Sequence, residues 1–457
     1  MDGTLINDRA PSVAIIGAGL SGLSAAYRLR KQGWKVGVFE SSGLAGGRVQ
    51  TVHYEGYVID TGASALAESY RGYLQLAREL GLGAEIEPAM PAIGIVRDGT
   101  IHLLRTNRMM RTGITTGLLS WTSKIKLLRL GFDIVHAKLR GRLDYADMRR
   151  AAPLDTESAR DYALRVLNGE IDSYLGDPIA RTMLITDTDK ISKVELFSGL
   201  ANIMSTRILA MRGGQGRLPE MLAALVKPQL ECPVLRVTGS DDHVEVEYRP
   251  SGATDSAVQR FDACVVCCPL FEAVKICPDL QALLQPLSSA LRYTKAITVA
   301  VATRIRPSCP AFLVQLPSCE DPDIALMFVE HNKCADRAPP GRGLIGVDWE
   351  ATASERFFDA SDEDIVAHTL KSVIKVFPEL GDQIEFTQVT RWAAALPLTG
   401  VGAYRRIGEF NAALDPKSRL QFAADYMSAA GQNTAVEMGA RAAARITANF
   451  ARPAVVR

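Results

Sequence analysis

The stretch VAIIGAGLSGLSAAYRLRKQGWKVGVFE, residues 13–40, has the pattern of a strand, a turn, a helix and a second strand. Its first five residues form a continuous apolar run, which is typical of a parallel strand buried on both faces. Gly17 permits the tight turn, Gly19 lets the backbone approach a pyrophosphate, and Gly22 lets the helix pack closely on the strand. The stretch therefore predicts a dinucleotide-binding domain of the Rossmann type.

The two ends of this motif restrict the choice of dinucleotide. The helix begins near Leu20 and Ser21, where free N–H groups and the positive end of the helix dipole favour an anion. Glu40 ends the second strand, at the position where a carboxylate bonds ribose hydroxyls and repels a 2′-phosphate. The motif thus predicts an adenine dinucleotide without a 2′-phosphate, and FAD and NAD both remain open.

A second glycine pair follows at once, in ESSGLAGGRV, where five residues separate Glu40 from Gly46, Gly47 and Arg48. Two residues without side chains let backbone N–H groups approach a pyrophosphate, and an arginine can form paired, charge-assisted bonds to phosphate. The alternative is that Arg48 is a solvated surface charge. The ExxxxxGGR spacing resembles the extension found in the flavin-containing amine oxidase superfamily, which includes monoamine and polyamine oxidases, protoporphyrinogen oxidase and phytoene desaturase. The resemblance implies FAD.

Two further segments resemble elements of that superfamily. GYVIDTGAS, residues 56–64, is similar to the element beside the flavin ring, which implies that Gly62, Ala63 and Ser64 pass close to the isoalloxazine. In CPVLRV, Val234 stands where the family holds the adenine with backbone groups. Both similarities imply cofactor contacts.

The resemblance returns near the end of the chain, in QFAADYMSAAGQNTAVEMGARAAARI, residues 421–446. It implies that Asp425 bonds the ribityl chain; helix capping is the alternative for this acid. It also implies a helix beginning near Thr434, Ala435 and Val436, with N–H groups aimed at the flavin pyrimidine oxygen, where negative charge develops on reduction.

These separated matches predict two domains, one of them discontinuous. We expect an α/β fold in which a GxGxxG Rossmann-like FAD-binding domain accompanies an α+β substrate-binding domain of mixed sheet and helices. The FAD-binding domain is predicted to comprise residues 1–75, 205–285 and 411–457, and the substrate-binding domain residues 76–204 and 286–410.

The resemblance also implies two candidate catalytic residues. In LSSALRYTKAITVAVATR, Lys295 stands where amine oxidases place the lysine that holds a water against flavin N5 and assists reaction with oxygen. Tyr404 stands where monoamine oxidases keep one wall of an aromatic cage, although the second cage tyrosine has no counterpart. The alternatives are a snorkelling edge lysine and a tyrosine in core packing. Ala403 replaces a cysteine that bonds the flavin in some members, so we expect non-covalent FAD.

The expected function is that of an FAD-dependent oxidase. It would remove a hydride from a C–N bond of a medium-sized, partly apolar amine or amide-like substrate and pass the electrons to O2. A desaturase or protoporphyrinogen-oxidase-like enzyme, which oxidises carbon next to carbon, is the main alternative. A flavin-free binding protein similar to the Rab GDP-dissociation inhibitors is a further alternative.

Composition excludes several other classes. The net charge of +1 gives no overall attraction to nucleic acid, and the six histidines show no metal-ligand spacing, so no metal is expected. The first residues, MDGTLINDRAP, lack the apolar core of a signal peptide, and no apolar run is long enough to span a bilayer, so we expect a cytoplasmic protein. The oligomeric state stays open.

One helical segment is both apolar and basic. Residues 101–142 contain nine Lys and Arg against a single acid, Asp133. Within them, apolar residues recur at helical spacing: Trp121, Ile125, Leu128, Phe132, Val135 and Leu139. We expect a solvated helix face, with a membrane-surface patch as the alternative.

Overall fold

The computed structural model describes residues 10–144, 147–203 and 206–450, except for the side chains of residues 202 and 203. The outermost parts of the expected FAD-binding domain, residues 1–9 and 451–457, lie outside the described residues. All the residues named above as candidate site residues fall within the described ranges.

Strands and helices alternate irregularly along the chain. The strands are β1 (Ser12–Ile16), β2 (Lys35–Phe39), β3 (Thr51–Tyr54), β4 (Tyr57–Asp60), β5 (Leu66–Ala67), β6 (Ile86–Pro88), β7 (Ala92–Arg97), β8 (Thr100–Arg105), β9 (Ile208–Met211), β10 (Val234–Gly239), β11 (Val244–Tyr248), β12 (Ala257–Phe261), β13 (Ala263–Val266), β14 (Arg292–Tyr293), β15 (Ala296–Thr303), β16 (Leu313–Gln315), β17 (Ile324–Val329), β18 (Gly343–Trp349), β19 (Ile384–Trp392), β20 (Pro397–Leu398) and β21 (Leu420–Phe422). The α-helices are α1 (Leu20–Lys31), α2 (Arg71–Glu79), α3 (Met109–Thr115), α4 (Trp121–Leu139), α5 (Ala159–Val166), α6 (Gly169–Ile171), α7 (Asp177–Leu184), α8 (Lys193–Ile203), α9 (Arg217–Val226), α10 (Leu270–Ile276), α11 (Gln281–Ala290), α12 (Glu330–Lys333), α13 (Ala351–Arg356), α14 (Asp362–Val376), α15 (Ala403–Ala413) and α16 (Gln432–Phe450).

The dinucleotide motif lies in a four-stranded parallel sheet of order β2-β1-β13-β21. Helix α1 packs closely along α16, because a Cβ on Gly439 would lie 2.3 Å from the Ser21 carbonyl oxygen. The Ser24 hydroxyl also donates to the Val436 carbonyl at 3.1 Å. A separate antiparallel sheet, β10-β11-β12, follows this domain's α9.

The second layer is a seven-stranded sheet of order β19-β15-β18-β17-β16-β7-β8, in which only the β16–β7 pair is parallel. One face of β15 packs with α14 in a cluster that contains Val299 and Ile365. The opposite face packs against β4, where Ala300 meets Tyr57 and Ile59. The large sheet therefore presents one face to the dinucleotide domain, and the expected α/β fold class is confirmed.

Helix α4 differs from expectation in what it exposes. The residues that recur at helical spacing from Trp121 to Leu139 point to solvent, while Leu130 and Ile134 on the other side are buried. The expected solvated face is present, but it exposes these six apolar side chains beside Lys126, Arg129 and Lys138.

Three observations bear on the remaining expectations. Among the described residues, no helix is both long and apolar enough to cross a membrane. The same residues hold no group of three or more His, Cys, Asp or Glu side chains that could bind a metal ion. All eight cysteines are free thiols.

Candidate active site

The first glycine loop has the geometry that its spacing predicts. Gly17 has φ +101°, a conformation that favours glycine, and its amide donates to the Phe39 carbonyl at 2.8 Å. A Cβ on Gly22 would come within 1.9 Å of the Gly17 carbonyl oxygen, so only glycine fits there. A Cβ on Gly19, by contrast, would meet nothing within 4 Å. The space beside the start of α1 thus fits a phosphate-bearing group.

The second glycine pair lies directly on this loop. The Gly46 amide donates to the Ala18 carbonyl at 2.8 Å, and both Gly46 and Gly47 have positive φ values of +112° and +58°. A Cβ on Gly47 would lie 3.3 Å from the Gly19 Cα. The two glycine motifs therefore form one continuous stretch of backbone, which we call the glycine cradle.

Glu40 closes one end of this cradle. Its Oε2 accepts a hydrogen bond from the Ala18 amide at 2.7 Å, and its Oε1 accepts one from the Ser42 amide at 2.9 Å. Its carbonyl accepts from the Cys232 amide at 2.7 Å. The structure thereby brings the segment that leads into Val234 next to Glu40, as two contacts to one adenosine group require.

Arg48 and Asp425 meet although 376 residues lie between them in sequence. Arg48 Nη2 lies 3.1 Å from Asp425 Oδ2, and Nη1 donates to the Ala395 carbonyl at 2.7 Å. The Arg48 side chain is 33% exposed and that of Asp425 only 7%. Burial, the largest single influence, lowers the pKa of Arg48, but Asp425 and Tyr293 together outweigh it, so the pKa is raised. The alternative of a solvated surface charge is therefore wrong.

The segment after β4 lies against the same arginine. The Ala63 amide donates to the Arg48 carbonyl at 3.1 Å, and a Cβ on Gly62 would approach that carbonyl oxygen to 2.2 Å. Ser64 is half-buried and its carbonyl lies 3.5 Å from Gln215 Nε2. This segment therefore runs along the cradle beyond its glycine loops.

Helix α16 begins beside this segment, at Gln432, two residues before the expected start. Gln432 Nε2 donates to the Ala65 carbonyl at 3.0 Å. Thr434 and Val436 are buried and Ala435 is half-buried, so these side chains mainly fix the helix. The first N–H groups of a helix have no carbonyl partner within it. The start of α16 therefore offers donors beside Ala65, which follows the 62–64 segment.

The large sheet contributes a polar pair that sequence reasoning missed. Thr298 Oγ1 donates to Asp348 Oδ1 at 2.8 Å, and both residues are half-buried on the face turned toward β4. Burial raises the pKa of Asp348 to about 6, against the lowering effect of the Thr298 hydrogen bond. On the same face, Trp392 Nε1 donates to the Thr61 carbonyl at 2.6 Å. The alternation in GLIGVDW would have indicated one face for Asp348, but not which face.

Lys295 lies at the edge of this region. It immediately precedes β15, whose first residue, Ala296, pairs with Trp392. The lysine is half-buried, and its Nζ lies 4.5 Å from the centre of the Phe358 ring. Its expected role in the reaction with oxygen stays a prediction.

Tyr404 does not line an open cleft, contrary to its expected role as the wall of a cage. Its side chain has no exposed surface, and its hydroxyl donates to the buried Glu195. Its amide donates to Asp155 Oδ2 at 2.8 Å. These two acids hold the first turn of α15 in the core, and the alternative of core packing is correct.

The site thus combines a glycine cradle, an ion pair between distant segments, a helix start and a polar pair on the opposing sheet.

A family model of flavin-containing amine oxidoreductases matches residues 20–447. Among curated proteins, the chain is 24% identical over 450 residues to coproporphyrinogen III oxidase of Bacillus subtilis (strain 168), which covers 90% of this chain and 92% of that protein. Protoporphyrinogen oxidase 2 of Arabidopsis thaliana is 31% identical over 193 residues, 42% of this chain and 36% of that protein.

Solved structures show the same fold at low identity. A triple mutant of putrescine oxidase superposes with a TM-score of 0.78 at 19% identity, covering 96% of this chain and 99% of that one. Cyclohexylamine oxidase from Brevibacterium oxydans IH-35A superposes with a TM-score of 0.76 at 20% identity, covering 97% and 100%. Because the family model matches nearly the whole chain, the protein belongs to the flavin-containing amine oxidoreductases and is an FAD-dependent oxidoreductase.

Proposed function

We propose that the protein oxidises a porphyrinogen-type macrocycle at carbon, with O2 as the final acceptor. The observation that carries this proposal is the relationship, over 90% of the chain, to a coproporphyrinogen III oxidase. The burial of Tyr404 supports it, because the aromatic wall expected for amine oxidation has no exposed surface here. The flavin-free binding alternative no longer applies, since the chain is a member of an oxidoreductase family.

In this proposal the glycine cradle and Arg48 hold FAD without a covalent bond. Bound FAD supplies the hydride acceptor. Gly19, Gly46 and Gly47 would carry the pyrophosphate on backbone N–H groups, and Glu40 would release one of its present bonds to reach the ribose. Arg48 would remain beside Asp425 and add a fixed positive charge along the cofactor.

The start of α16 would stabilise the reduced state. Gln432 joins this helix start to Ala65, and the free N–H groups of the helix would point toward the flavin's pyrimidine end. Donors arranged in advance at a site of developing negative charge lower the barrier without having to reorganise. Asp425 would hold the Arg48 side chain, and with it the backbone segment that contains Arg48, in position.

We further propose that Asp348 accepts the proton. Oxidation at a methylene bridge of a porphyrinogen removes a hydride from carbon and a proton from a pyrrole nitrogen. A base with a pKa near the working pH combines the correct ionisation state with sufficient proton affinity. The pKa of Asp348, raised to about 6 by burial, leaves it ionised at neutral pH. Thr298, through its hydrogen bond, would orient the carboxylate.

Oxidation of an amine remains a second candidate because of Lys295. Its half-buried ammonium before β15 stands where the amine oxidases use a lysine to assist oxygen reaction, and its ring contact with Phe358 would hold it in place. Under either function, Lys295→Met is expected to slow flavin reoxidation by O2 at least tenfold in stopped-flow measurements while leaving FAD affinity unchanged. An unchanged reoxidation rate would remove Lys295 from the proposal.

Anaerobic mixing separates the two functions. Purified flavoprotein is mixed with coproporphyrinogen III, protoporphyrinogen IX, putrescine or cyclohexylamine, and the flavin absorbance is followed. We expect bleaching with a porphyrinogen and no bleaching with the amines. When O2 is then admitted and reoxidises the flavin, porphyrin fluorescence should appear, because full oxidation of the macrocycle needs three two-electron steps. Bleaching by an amine alone would replace the proposal with the second candidate.

A further inference from the structure

Helix α4 exposes a continuous line of apolar side chains. Each of the following is more than half exposed to solvent: Trp121, Ile125, Leu128, Phe132, Val135 and Leu139. We call these six residues the apolar ridge. At 3.6 residues per turn they fall within an arc of roughly 80° along the whole helix. Isolated exposed apolar residues are common, but contiguous patches beyond a few hundred Å² mark interaction sites.

The fold does not explain the apolar ridge. The other side of α4 already anchors the helix, since Leu130, Ile134 and Ala137 are buried in a cluster with α5, α7 and α8. A surface helix of a folded protein normally turns a polar face to water once its apolar face is packed. A binding partner or surface other than the described residues is therefore needed to bury the apolar ridge.

Helix α3 extends the apolar surface. Met110 is 69% exposed and Ile114 is 52% exposed. The two helices are adjacent, because Lys124 Nζ donates to the Ile114 carbonyl at 2.7 Å and to the Thr116 carbonyl at 2.7 Å. The exposed apolar residues of α3 and α4 thus belong to one surface.

This surface is bordered by positive charge. Residues 101–142 carry nine Lys and Arg and one acid in a chain whose net charge is only +1, so the remainder of the chain is net negative. The single acid, Asp133, already accepts from Arg129 Nε at 3.1 Å and from the Tyr162 hydroxyl at 2.8 Å. By helical geometry Arg129 borders the apolar ridge on one side and Lys138 on the other.

We propose that this surface binds an anionic lipid bilayer, with α4 lying in the interface. An interfacial helix presents an apolar face to the acyl boundary and Lys or Arg to the headgroups, as the apolar ridge and its borders do. Anionic lipids attract clusters of basic residues over about a Debye length. The proposal does not depend on the substrate.

The charge pattern favours a bilayer over a second copy of this chain. A twofold dimer would place the same patch on both sides of the contact. The basic borders of the two copies would then face each other, and like charges opposed across an interface weaken association. An anionic bilayer covers the same apolar area and neutralises those charges.

Co-sedimentation of the holoenzyme with vesicles tests the proposal. At low salt we expect binding to vesicles of phosphatidylglycerol and phosphatidylcholine and much weaker binding to phosphatidylcholine alone. The double variant Leu128→Glu/Phe132→Glu should lower binding to the anionic vesicles at least tenfold, because two charges enter the acyl boundary. Val258→Glu is the matched control, since Val258 on β12 is as exposed as Phe132, at 63%, and should bind as the wild type does.

The charge component has its own variant. Lys138→Gln/Arg140→Gln should weaken binding to anionic vesicles roughly tenfold or more and leave the weak binding to neutral vesicles unchanged. Flavin absorbance and the melting temperature verify that each variant is folded.

Three results would overturn the proposal. One is the absence of wild-type binding at low salt, and another is equal binding by the Leu128→Glu/Phe132→Glu variant. The third is a lipid-free dimer in sedimentation velocity that this variant dissociates, which would assign the apolar ridge to a second copy of the chain.

Discussion

Two ionic groups in this protein join distant segments of the chain, and they differ in their access to solvent. Arg48 and Asp425 form a pair in which the arginine is 33% exposed. Asp60 meets Lys333 and Arg337, and the side chains of all three are wholly buried. The first pair retains one side free for a ligand, whereas the second group has no such side.

The buried ionic group is a structural joint in a literal sense: it ties β4, beside the dinucleotide domain, to the segment that follows β17 of the large sheet. Asp60 ends β4, and its Oδ2 lies 2.9 Å from Arg337 Nη2. Lys333 Nζ is 2.6 Å from Glu330 Oε2, so two cations balance two carboxylates. Breaking a buried ion group leaves an uncompensated charge, which costs far more than breaking an exposed pair. The comparison therefore predicts opposite results for two arginines: loss of fold for Arg337 and loss of cofactor for Arg48.

The largest expected effect is that of Arg337→Met. It leaves Asp60 and Glu330 with Lys333 alone, and we expect the free energy of unfolding to fall by about 3–5 kcal/mol. Urea denaturation of the flavin-loaded protein measures this. Arg342→Met is the control, since Arg342 is 40% exposed and pairs with Glu385 at 3.2 Å; it should cost less than about 1 kcal/mol. A small effect of Arg337→Met would contradict the assignment of a structural joint.

The next effect is that of Arg48→Met on cofactor binding. Charge-assisted hydrogen bonds contribute about 1.5–3 kcal/mol, so FAD affinity should fall roughly 10- to 100-fold. Titration of the apoprotein with FAD, followed by flavin fluorescence, measures the change. Arg391→Met is the matched control, because Arg391 is 27% exposed and pairs with Asp362 on the other side of β19. Equal losses of FAD affinity in Arg48→Met and Arg391→Met would contradict the assignment of the Arg48–Asp425 pair to cofactor binding.

The sequence singles out Arg48 and Asp425 as candidate cofactor contacts, but it does not predict their pairing, and it gives no signal for the buried group. Arg48 and Gly46 belong to a local motif whose spacing dictates the backbone chemistry, so their roles can be inferred without long-range information. Nothing near Lys333 or Arg337 in the sequence indicates burial. Their environment depends on Asp60, which approaches only when the large sheet packs against β4.

The exposure of the apolar ridge and the burial of Tyr404 could not be predicted for the same reason, since both depend on long-range partners. Both sides of α4 are apolar, so helical periodicity alone could not tell which side packs against the protein and which forms the apolar ridge. Tyr404 is held in the core by Glu195 and Asp155, and these acids come from residues 76–204 of the expected substrate-binding domain, far from Tyr404 in sequence. Local patterns specify elements, whereas long-range partners decide which face is buried.

The smallest expected effect concerns Asp348. This residue is half-buried, as Arg48 is, whereas the side chains of the Asp60 group are wholly buried. It is near the buried group, where Glu330 raises its pKa and Lys333 lowers it. Burial is the main cause of its raised pKa of about 6. The folded state therefore binds this proton more tightly than the unfolded state does, and ionisation reduces stability as pH rises from about 4 to 6. Asp348→Asn should thus increase the free energy of unfolding by about 1–2 kcal/mol at pH 8 and by little at pH 4.

The same variant separates a catalytic role of Asp348 from a purely structural one. His331, whose pKa burial lowers to about 4, is present in both proteins, so its titration cancels in the difference. If Asp348 accepts the substrate proton, wild-type kcat/KM should rise through about pH 6 as the carboxylate ionises, and Asp348→Asn should lose that rise together with most of the activity. If Asp348→Asn gains stability at pH 8 but keeps the wild-type pH profile of kcat/KM, Asp348 has a structural role only, as Asp60 does.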